Sequence, residues 1–331
     1  MSERLEPSGW VAVARSKALG KNPLRVITAG RPLVLFRTAA GTHCLADICP
    51  HRSAPLSAGR VVGEAIECPY HGWRFAGSGH CTAMPGLIGE APRALVPSYS
   101  VTEKDGLIFF STGRESDAPY TTVLSGQDTV STIVECRVNA SLAEVAENIL
   151  DATHTHFTHK GILRGLSSRR YRVTVTVSGG DGWVEARYEG EPKQEGLISR
   201  LLEGERSISI GRFRAPGIAE LEFWGKDRIN LATTFHLCQE TADTVHGFGI
   251  LSGPRQGGLG HLKALLFRPF FLIALGQDRR ILQAAEVNRR MFAERRQMMG
   301  PLDVMRPHID AILAGKRPEV ADRPAELVME L

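Results

Sequence analysis

Two short pairs of residues hold the densest chemistry in the sequence: Cys49-Pro50-His51 and, sixteen residues later, Cys68-Pro69-Tyr70-His71. Each pair offers one thiolate and one imidazole, so two loops brought together would present two sulfurs and two nitrogens to a metal centre. Two chemistries use that donor set: a tetrahedral zinc site, and a two-iron, two-sulfide cluster in which two His replace two Cys on one iron. Structural zinc sites usually pair like with like, as C-x2-4-C and H-x3-5-H. One Cys and one His in each loop instead suits a cluster with chemically distinct irons. The spacing favours the cluster, with zinc as the alternative.

A second concentration runs from Glu147 to His159, ENILDATHTHFTH, where three His and one Asp crowd the end of an expected helix. Non-haem Fe(II) that activates O2 uses two His and one carboxylate on one face. Taken alone, His154 and His159 fit ordinary surface or core positions as well. Arg212 and Arg214 alternate with Phe213 on an expected strand, where one of them can hold a substrate carboxylate or both can simply face solvent.

With its flanks, the first motif resembles the box of the Rieske iron-sulfur proteins. Arg52, Ala54, Pro55 and Leu56 follow the first pair, Gly72-Trp73 follow the second, and Ser53 stands where such boxes often have Gly. The resemblance implies a [2Fe-2S] cluster with Cys49 and Cys68 on one iron and His51 and His71 on the outer one. Neutral imidazoles in place of thiolates raise the potential from about −400 mV to roughly −150 to +300 mV.

Downstream, D-x-x-H-x4-H at Asp151, His154 and His159 resembles the catalytic domain of Rieske non-haem iron oxygenases, in the branch of the vanillate O-demethylase-like and phthalate-dioxygenase-like enzymes. The likeness then covers nearly the whole chain. It implies a mononuclear Fe(II) held by His154, His159 and Asp278, with Gln277 where family members often have Glu. It also implies that Asp151 and Asn148 are catalytic residues near that iron, and that Asp151 bridges to the Rieske His of a neighbouring subunit in a head-to-tail homotrimer. Asp151 lies three residues before His154, so on one continuous helix its carboxylate would accept the ring N–H of His154. His156 is read as supporting the ligands or the fold.

The activity implied is that of a terminal oxygenase. It would use O2 to hydroxylate or O-/N-demethylate a ring-containing small molecule, with arene cis-dihydroxylation as the alternative. Neither a strand-G-x-G-x-x-G-helix unit nor a C-x4-C-x2-C spacing occurs in the chain, and Gly253–Gly260 lacks the Lys-Ser/Thr of a phosphate loop. Electrons must therefore come from a separate NAD(P)H-dependent reductase, directly or through a ferredoxin. A Rieske electron carrier with an inactive second domain and a zinc-stabilised binding module are the readings from other classes.

The elements that must position these residues follow from periodicity. The 331 residues suffice for two domains, each with its own core. Short β runs at Gly9–Ala14, Leu24–Thr28, Pro32–Arg37, Thr42–Asp47, Ala65–Cys68 and Gly106–Ser111 predict a small antiparallel β domain over 1–117, with a linker at Thr112–Asp128. Ser141–Leu150 has helical spacing behind a Ser141 cap with Glu144 three residues on. Further β runs then lie between Arg170 and Leu251, followed by helical patterns at Leu259–Met298 and Leu302–Leu313 and an extended tail after Gly315. The expected fold class is α+β, the second domain (118–331) being an antiparallel sheet flanked by helices.

With 40 basic and 36 acidic residues interspersed, the net charge of +4 points to no nucleic-acid partner. MSERLEPSGW has neither a charged n-region nor an apolar h-region, and Cys44, Cys81, Cys136 and Cys238 lack metal-binding spacing, so a reduced, cytoplasmic protein is expected. The apolar stretch Leu262–Leu275, fourteen residues interrupted by Arg268-Pro269, is short for a bilayer span. It reads as a buried helix or subunit contact kinked at Pro269, with peripheral membrane contact or a substrate portal as alternatives.

Overall fold

Short strands closed by tight turns build both units into which the chain divides, Met1–Tyr120 with Cys238–Ala242, and Thr121–Leu237 with Asp243–Leu331. The computed structural model describes residues 9–89, 93–113, 117–162, 169–191, 206–255 and 259–331. Parts of the expected linker (114–116) and of the Gly253–Gly260 connection (256–258) lie outside the described residues.

The strands of the first unit are β1 (Val11–Arg15), β2 (Leu24–Thr28), β3 (Arg31–Thr38), β4 (Gly41–Ala46), β5 (Arg60–Val62), β6 (Ala65–Glu67), β7 (Arg74–Ala76), β8 (Cys81–Ala83), β9 (Ser98–Lys104) and β10 (Leu107–Ser111). They form a six-stranded sheet, β1-β10-β9-β4-β3-β2, and a four-stranded one, β5-β6-β7-β8. Turn chemistry sets the registers. Asp105-Gly106 joins β9 to β10 with both residues at positive φ, 48° and 79°, the two-residue turn whose twist matches its strands. Phe36, Leu45, Leu56, Ile66 and Phe75 form a buried cluster that draws on both sheets, and Cys49 and Cys68 are buried within it.

The second unit is built on an eight-stranded sheet. Its strands are β11 (Thr129–Val138), β12 (Arg172–Gly180), β13 (Trp183–Glu189), β14 (Ile208–Arg214), β15 (Ile218–Trp224), β16 (Ile229–Thr241), β17 (Thr244–Pro254) and β18 (Ala325–Glu330). The order is β11-β17-β16-β15-β14-β13-β12-β18, so the extended tail after Gly315 ends as a strand at the sheet's edge. Its helices are α1 (Leu142–Leu150), α2 (Thr155–Thr158), α3 (Leu259–Met291) and α4 (Arg306–Leu313). Leu142, Val145, Ala146 and Leu150 of α1 and Ile309 and Ile312 of α4 share one core with Val175, Val184, Phe213 and Val245 of the sheet. Ser141 caps α1, its Oγ accepting from Glu144 N at 3.3 Å. The Glu144 carboxylate does not complete a capping box; with Glu147 it holds Arg306 of α4, at 3.1 and 2.6 Å. The α+β class and the helix-flanked sheet are thus as expected.

Three features differ from expectation. Helix α3 ends at Met291, short of Met298, and α4 begins at Arg306 and not at Leu302. The apolar stretch of α3 is only partly buried: Ala274 is buried and Phe270, Phe271 and Leu275 pack on the core, while Leu262, Leu265, Leu266 and Ile273 are all more than half exposed. Its charged residues fall too sparsely to mark a solvated face, which is why the sequence suggested burial. Pro269 sits within one continuous helical segment. Among the described residues no helix is long and apolar enough to cross a membrane.

Candidate metal centres

The two Cys/His loops are closed in the same way. Cys49 N donates to Ala54 O at 2.8 Å and Ser53 N to Cys49 O at 2.9 Å; Cys68 N donates to Trp73 O at 2.8 Å and Gly72 N to Cys68 O at 3.1 Å. Each reversal has a left-handed residue four positions after its Cys, Ser53 (φ 57°) in one loop and Gly72 (φ 71°) in the other. Ser53 therefore adopts the conformation that Gly would take most readily. A Cβ on Gly72 would meet Pro85 Cγ at 2.9 Å, so the segment after the second loop folds back onto it.

These loops bring the four expected residues together. Burial, together with the neighbouring Cys68 thiol, raises the Cys49 thiol above its ordinary value. The His51 and His71 rings lie with centroids 4.4 Å apart, and His51 stacks on Trp73 at 4.6 Å. His51 Nδ1 is buried with no hydrogen-bond partner, as a ligand nitrogen waiting for a metal would be. Two thiols and two imidazoles of this kind fit a cluster with sulfur ligands on one iron and nitrogen ligands on the other.

In the second unit the expected helix does not continue to His159. Helix α1 stops at Asp151, whose backbone is extended (φ −75°, ψ 112°), and the single turn α2 follows, with His154 and His159 flanking it. The Asp151 carboxylate builds the break. It accepts from Thr153 N and Thr153 Oγ1, both at 2.7 Å, and from His154 N at 3.2 Å. The ring of His154 donates its Nδ1–H to the backbone carbonyl of Asp151 at 2.7 Å, with the carboxylate at 3.6 Å. This corrects the expectation that the carboxylate would take that N–H: the helical face that would have aligned them ends at Asp151.

His159 is buried, and its Nδ1 donates to Gln277 Oε1 at 2.9 Å. Both rings thereby turn Nε2 inward. The two Nε2 atoms are 3.2 Å apart, and Asp278 Oδ1 lies 3.0 Å from that of His159 and 3.4 Å from that of His154. The three ligand-type atoms lie within 4.8 Å of one another. Despite these distances Asp278 Oδ1 is buried without a hydrogen bond. With each Nδ1 carrying the ring hydrogen, lone pairs from three groups face one point, and a cation is what relieves them. Burial opposes charge on His154, but the Asp151 and Asp278 carboxylates outweigh it and hold its pKa up at about 9. Two nitrogens and one carboxylate oxygen fit non-haem iron.

Beside this trio a cleft of about 470 Å³ opens between α1, α3 and strands β11, β16 and β17. Strand alternation decides what reaches it. Val134, Cys136 and Val138 of β11 pair across to Gly249, Gly247 and Val245 of β17, so all six share one face. Glu135 and His246 belong to the opposite face, where His246 Nε2 meets Glu135 Oε1 at 2.7 Å. Phe235 and Leu237 add to the apolar wall. Asn148, Asp278 and Arg279 supply polar side chains. The cleft is mostly apolar.

The other residues singled out in the sequence sort clearly. His156 is not part of the converging trio. Arg212 is not available to a substrate, because Glu185, Glu220 and Glu222 surround it at 2.5, 3.2 and 2.6 Å. Those acids come from two other strands, β13 and β15, so no local pattern revealed them. Sequence reasoning noted Gln277 only as a departure from the family, and it passed over Arg279, although both flank Asp278.

A model of the Rieske [2Fe-2S] domain matches residues 9–99, and a model of the vanillate O-demethylase oxygenase C-terminal domain matches residues 138–314. The chain belongs to the Rieske oxygenases. As a member of that family it carries a Rieske [2Fe-2S] cluster and a mononuclear iron, the two groups that its two donor sets fit. It is similar to the oxygenase component of dicamba O-demethylase from Stenotrophomonas maltophilia, 28% identical over 67% of this chain and 64% of the relative. Methylxanthine N3-demethylase NdmB from Pseudomonas putida is 33% identical over 58% of this chain and 56% of the relative. The chain thus spans less than two thirds of the length of the curated relatives it matches. The crystal structure of dicamba monooxygenase bound to dicamba has the same fold as this Rieske oxygenase, with a TM-score of 0.79 over 93% of this chain and 96% of that one at 22% identity. Pseudomonas putida NdmA with caffeine gives 0.74 over 96% and 95% at 18% identity.

Proposed function

We infer that this chain is a terminal oxygenase that uses reductase-supplied electrons and O2 to hydroxylate, or to O- or N-demethylate, a ring-containing small molecule. The observation that carries the reading is the convergence of His154 Nε2, His159 Nε2 and Asp278 Oδ1 beside a mostly apolar cleft. In this reading those three residues hold the mononuclear iron. Cys49 and Cys68 hold one iron of the cluster and His51 and His71 the other. We assign residues 1–117 to the Rieske domain and 118–331 to the catalytic domain.

When bound, the cluster supplies single electrons and the mononuclear iron activates O2. The chain's own residues do the rest. Val134, Val138, Phe235 and Leu237 hold an apolar ring and exclude water, while Asn148 places an amide beside the iron ligands. Asp151 links the trio to the Rieske His71 of a neighbouring copy in a head-to-tail trimer. Two electrons and two protons with O2 convert a C–H bond to C–OH and release water; on a methyl ether or N-methyl group the product then loses formaldehyde. A separate NAD(P)H-dependent reductase, directly or through a ferredoxin, supplies the electrons. The cytoplasm is the compartment we propose.

Demethylation is preferred to cis-dihydroxylation because dicamba O-demethylase and methylxanthine N3-demethylase are among the relatives. The converging trio also counts against an electron carrier with an inactive second domain. The test is aerobic turnover of ring ethers and N-methyl heterocycles with a generic reductase and NADH, read as formaldehyde and oxygenated product. Purified protein should be red-brown, with up to three irons and two acid-labile sulfides per chain. Stoichiometric zinc without visible absorbance would sink the reading, and two irons per chain with NADH consumed but no product would favour the electron carrier.

A further inference from the structure

We propose that Gln277 is the positioning residue of His159. Its amide oxygen takes the Nδ1–H and so fixes the tautomer whose Nε2 faces the iron. This rests on the reading above, in which His159 is an iron ligand. A ring nitrogen binds a metal only when it carries no hydrogen, and the partner of the other nitrogen decides which one is free. His159 is 2% exposed, so bulk solvent does not supply that partner. Gln277 Oε1, at 2.9 Å, is the acceptor present.

The opposite arrangement would have the Gln277 amide donating to Nδ1 and His159 Nε2–H donating to Asp278. Asp278 Oδ1 argues against it. That oxygen is 3.0 Å from His159 Nε2, close enough to accept, yet it is buried without a hydrogen bond. The Nε2 atom is therefore placed beside Asp278 as a second ligand and not as its donor. Gln277 and Asp278 are consecutive on α3, so one stretch of helix supplies a ligand and also holds the ring of another ligand from its far side.

The choice of an amide has a further effect. A carboxylate at this position would bring a second negative charge next to the ligand set, whereas Gln orients the ring and adds none. The site with Fe(II), two neutral imidazoles and Asp278 then keeps one net positive charge. Glu at position 277 would cancel it and make His159 a more basic ligand.

Co(II) serves as the probe. The full chain, with its cluster intact and its mononuclear site emptied by a chelator, is titrated calorimetrically with Co(II). Gln277→Leu, which keeps the bulk and removes the acceptor, should weaken binding 10- to 100-fold, the range typical of lost partners of metal-bound His. Gln277→Glu should restore binding to the wild-type value or tighter, a rescue that a purely structural role at this position would not give. Equal affinity for wild type and Gln277→Leu overturns the proposal and leaves the oxygenase reading intact. So does a Gln277→Glu protein as weak as Gln277→Leu. A wild-type chain that takes up no Co(II) or Fe(II) removes both.

Discussion

His154 Nδ1 lies 2.7 Å from the backbone carbonyl oxygen of Asp151 and 3.6 Å from its carboxylate, so the main chain orients this imidazole. The side chain is left to cap the turn through Thr153 and His154 N. Substituting the carboxylate therefore separates two roles that a continuous helix would have merged. Asp151→Asn keeps the carbonyl that sets the His154 tautomer and an oxygen for Thr153. Both metal centres should remain, with divalent-metal affinity nearly unchanged. If Asp151 makes the bridge proposed above, turnover should nevertheless fall at least about tenfold, because an amide would be a poorer link to His71 of the neighbouring copy. Single-turnover kinetics check this: a pre-reduced variant whose cluster reoxidises at the wild-type rate, with substrate and O2 present, rules out the bridge.

Ser53 and Gly72 do the same geometric job in the two Cys/His loops, at φ 57° and 71°, but only Gly does it without a side-chain penalty. Ser53 is exposed, so its hydroxymethyl group packs against little. Ser53→Gly should stabilise the first unit by about 0.5–1 kcal/mol, the left-handed cost of a non-Gly residue less the added chain entropy of Gly. Thermal loss of cluster absorbance measures it, and an unchanged or lower midpoint would mean that the Ser side chain contributes something its geometry does not reveal.

How much was legible in the sequence depends on the range of the forces involved. Strand β2 falls at the bounds expected for it, because alternation and flanking turn residues are local signals. Strands β5, β7 and β8 have three residues each, too few for alternation to register. Strand β11 lies at the sheet's edge with several polar residues, and it followed the expected linker without being recognised. His154, His159 and Asp278 were named by resemblance to the family, and the fold brings their ligand-type atoms together. The break at Asp151 was not legible, since a side chain bonding to nearby backbone N–H groups competes with the helix in a way that apolar periodicity does not record. Arg212 was misjudged for the complementary reason: its acidic partners lie on neighbouring strands.

Arg279 stands at the cleft that the apolar strand residues line, and among the described residues no carboxylate pairs with it. An apolar ring bearing a carboxylate should suit that environment, because a guanidinium recognises carboxylates in two-point fashion. We expect 3-methoxybenzoate to bind about tenfold or more tightly than its neutral isostere 3-methoxybenzamide. Arg279→Gln should bring the two affinities close together mainly by weakening the acid. Calorimetry with both probes checks it; a preference that survives Arg279→Gln would assign the selectivity elsewhere.

His236 is buried in β16, where its Nε2–H donates to Thr121 O at 2.9 Å. Burial pushes its pKa down to about 4, against an ordinary value of 6.5, although Thr121 and Glu220 both favour the charged form. The unfolded chain takes up the proton near the ordinary value, while the folded chain resists it until about 4. Between those two values the unfolded state holds more protons, so stability must fall as pH falls. The contribution is fully present above about 6.5 and is lost on acidification towards about 4, at roughly 1.4 kcal/mol per pH unit. His236→Gln retains an N–H for Thr121 and cannot titrate. Urea midpoints measured from pH 7 down to about 4.5 should drop more steeply for the wild type than for His236→Gln. Parallel slopes for the two proteins would place the acid sensitivity in the carboxylates of the Arg212 cluster or elsewhere, and not in His236.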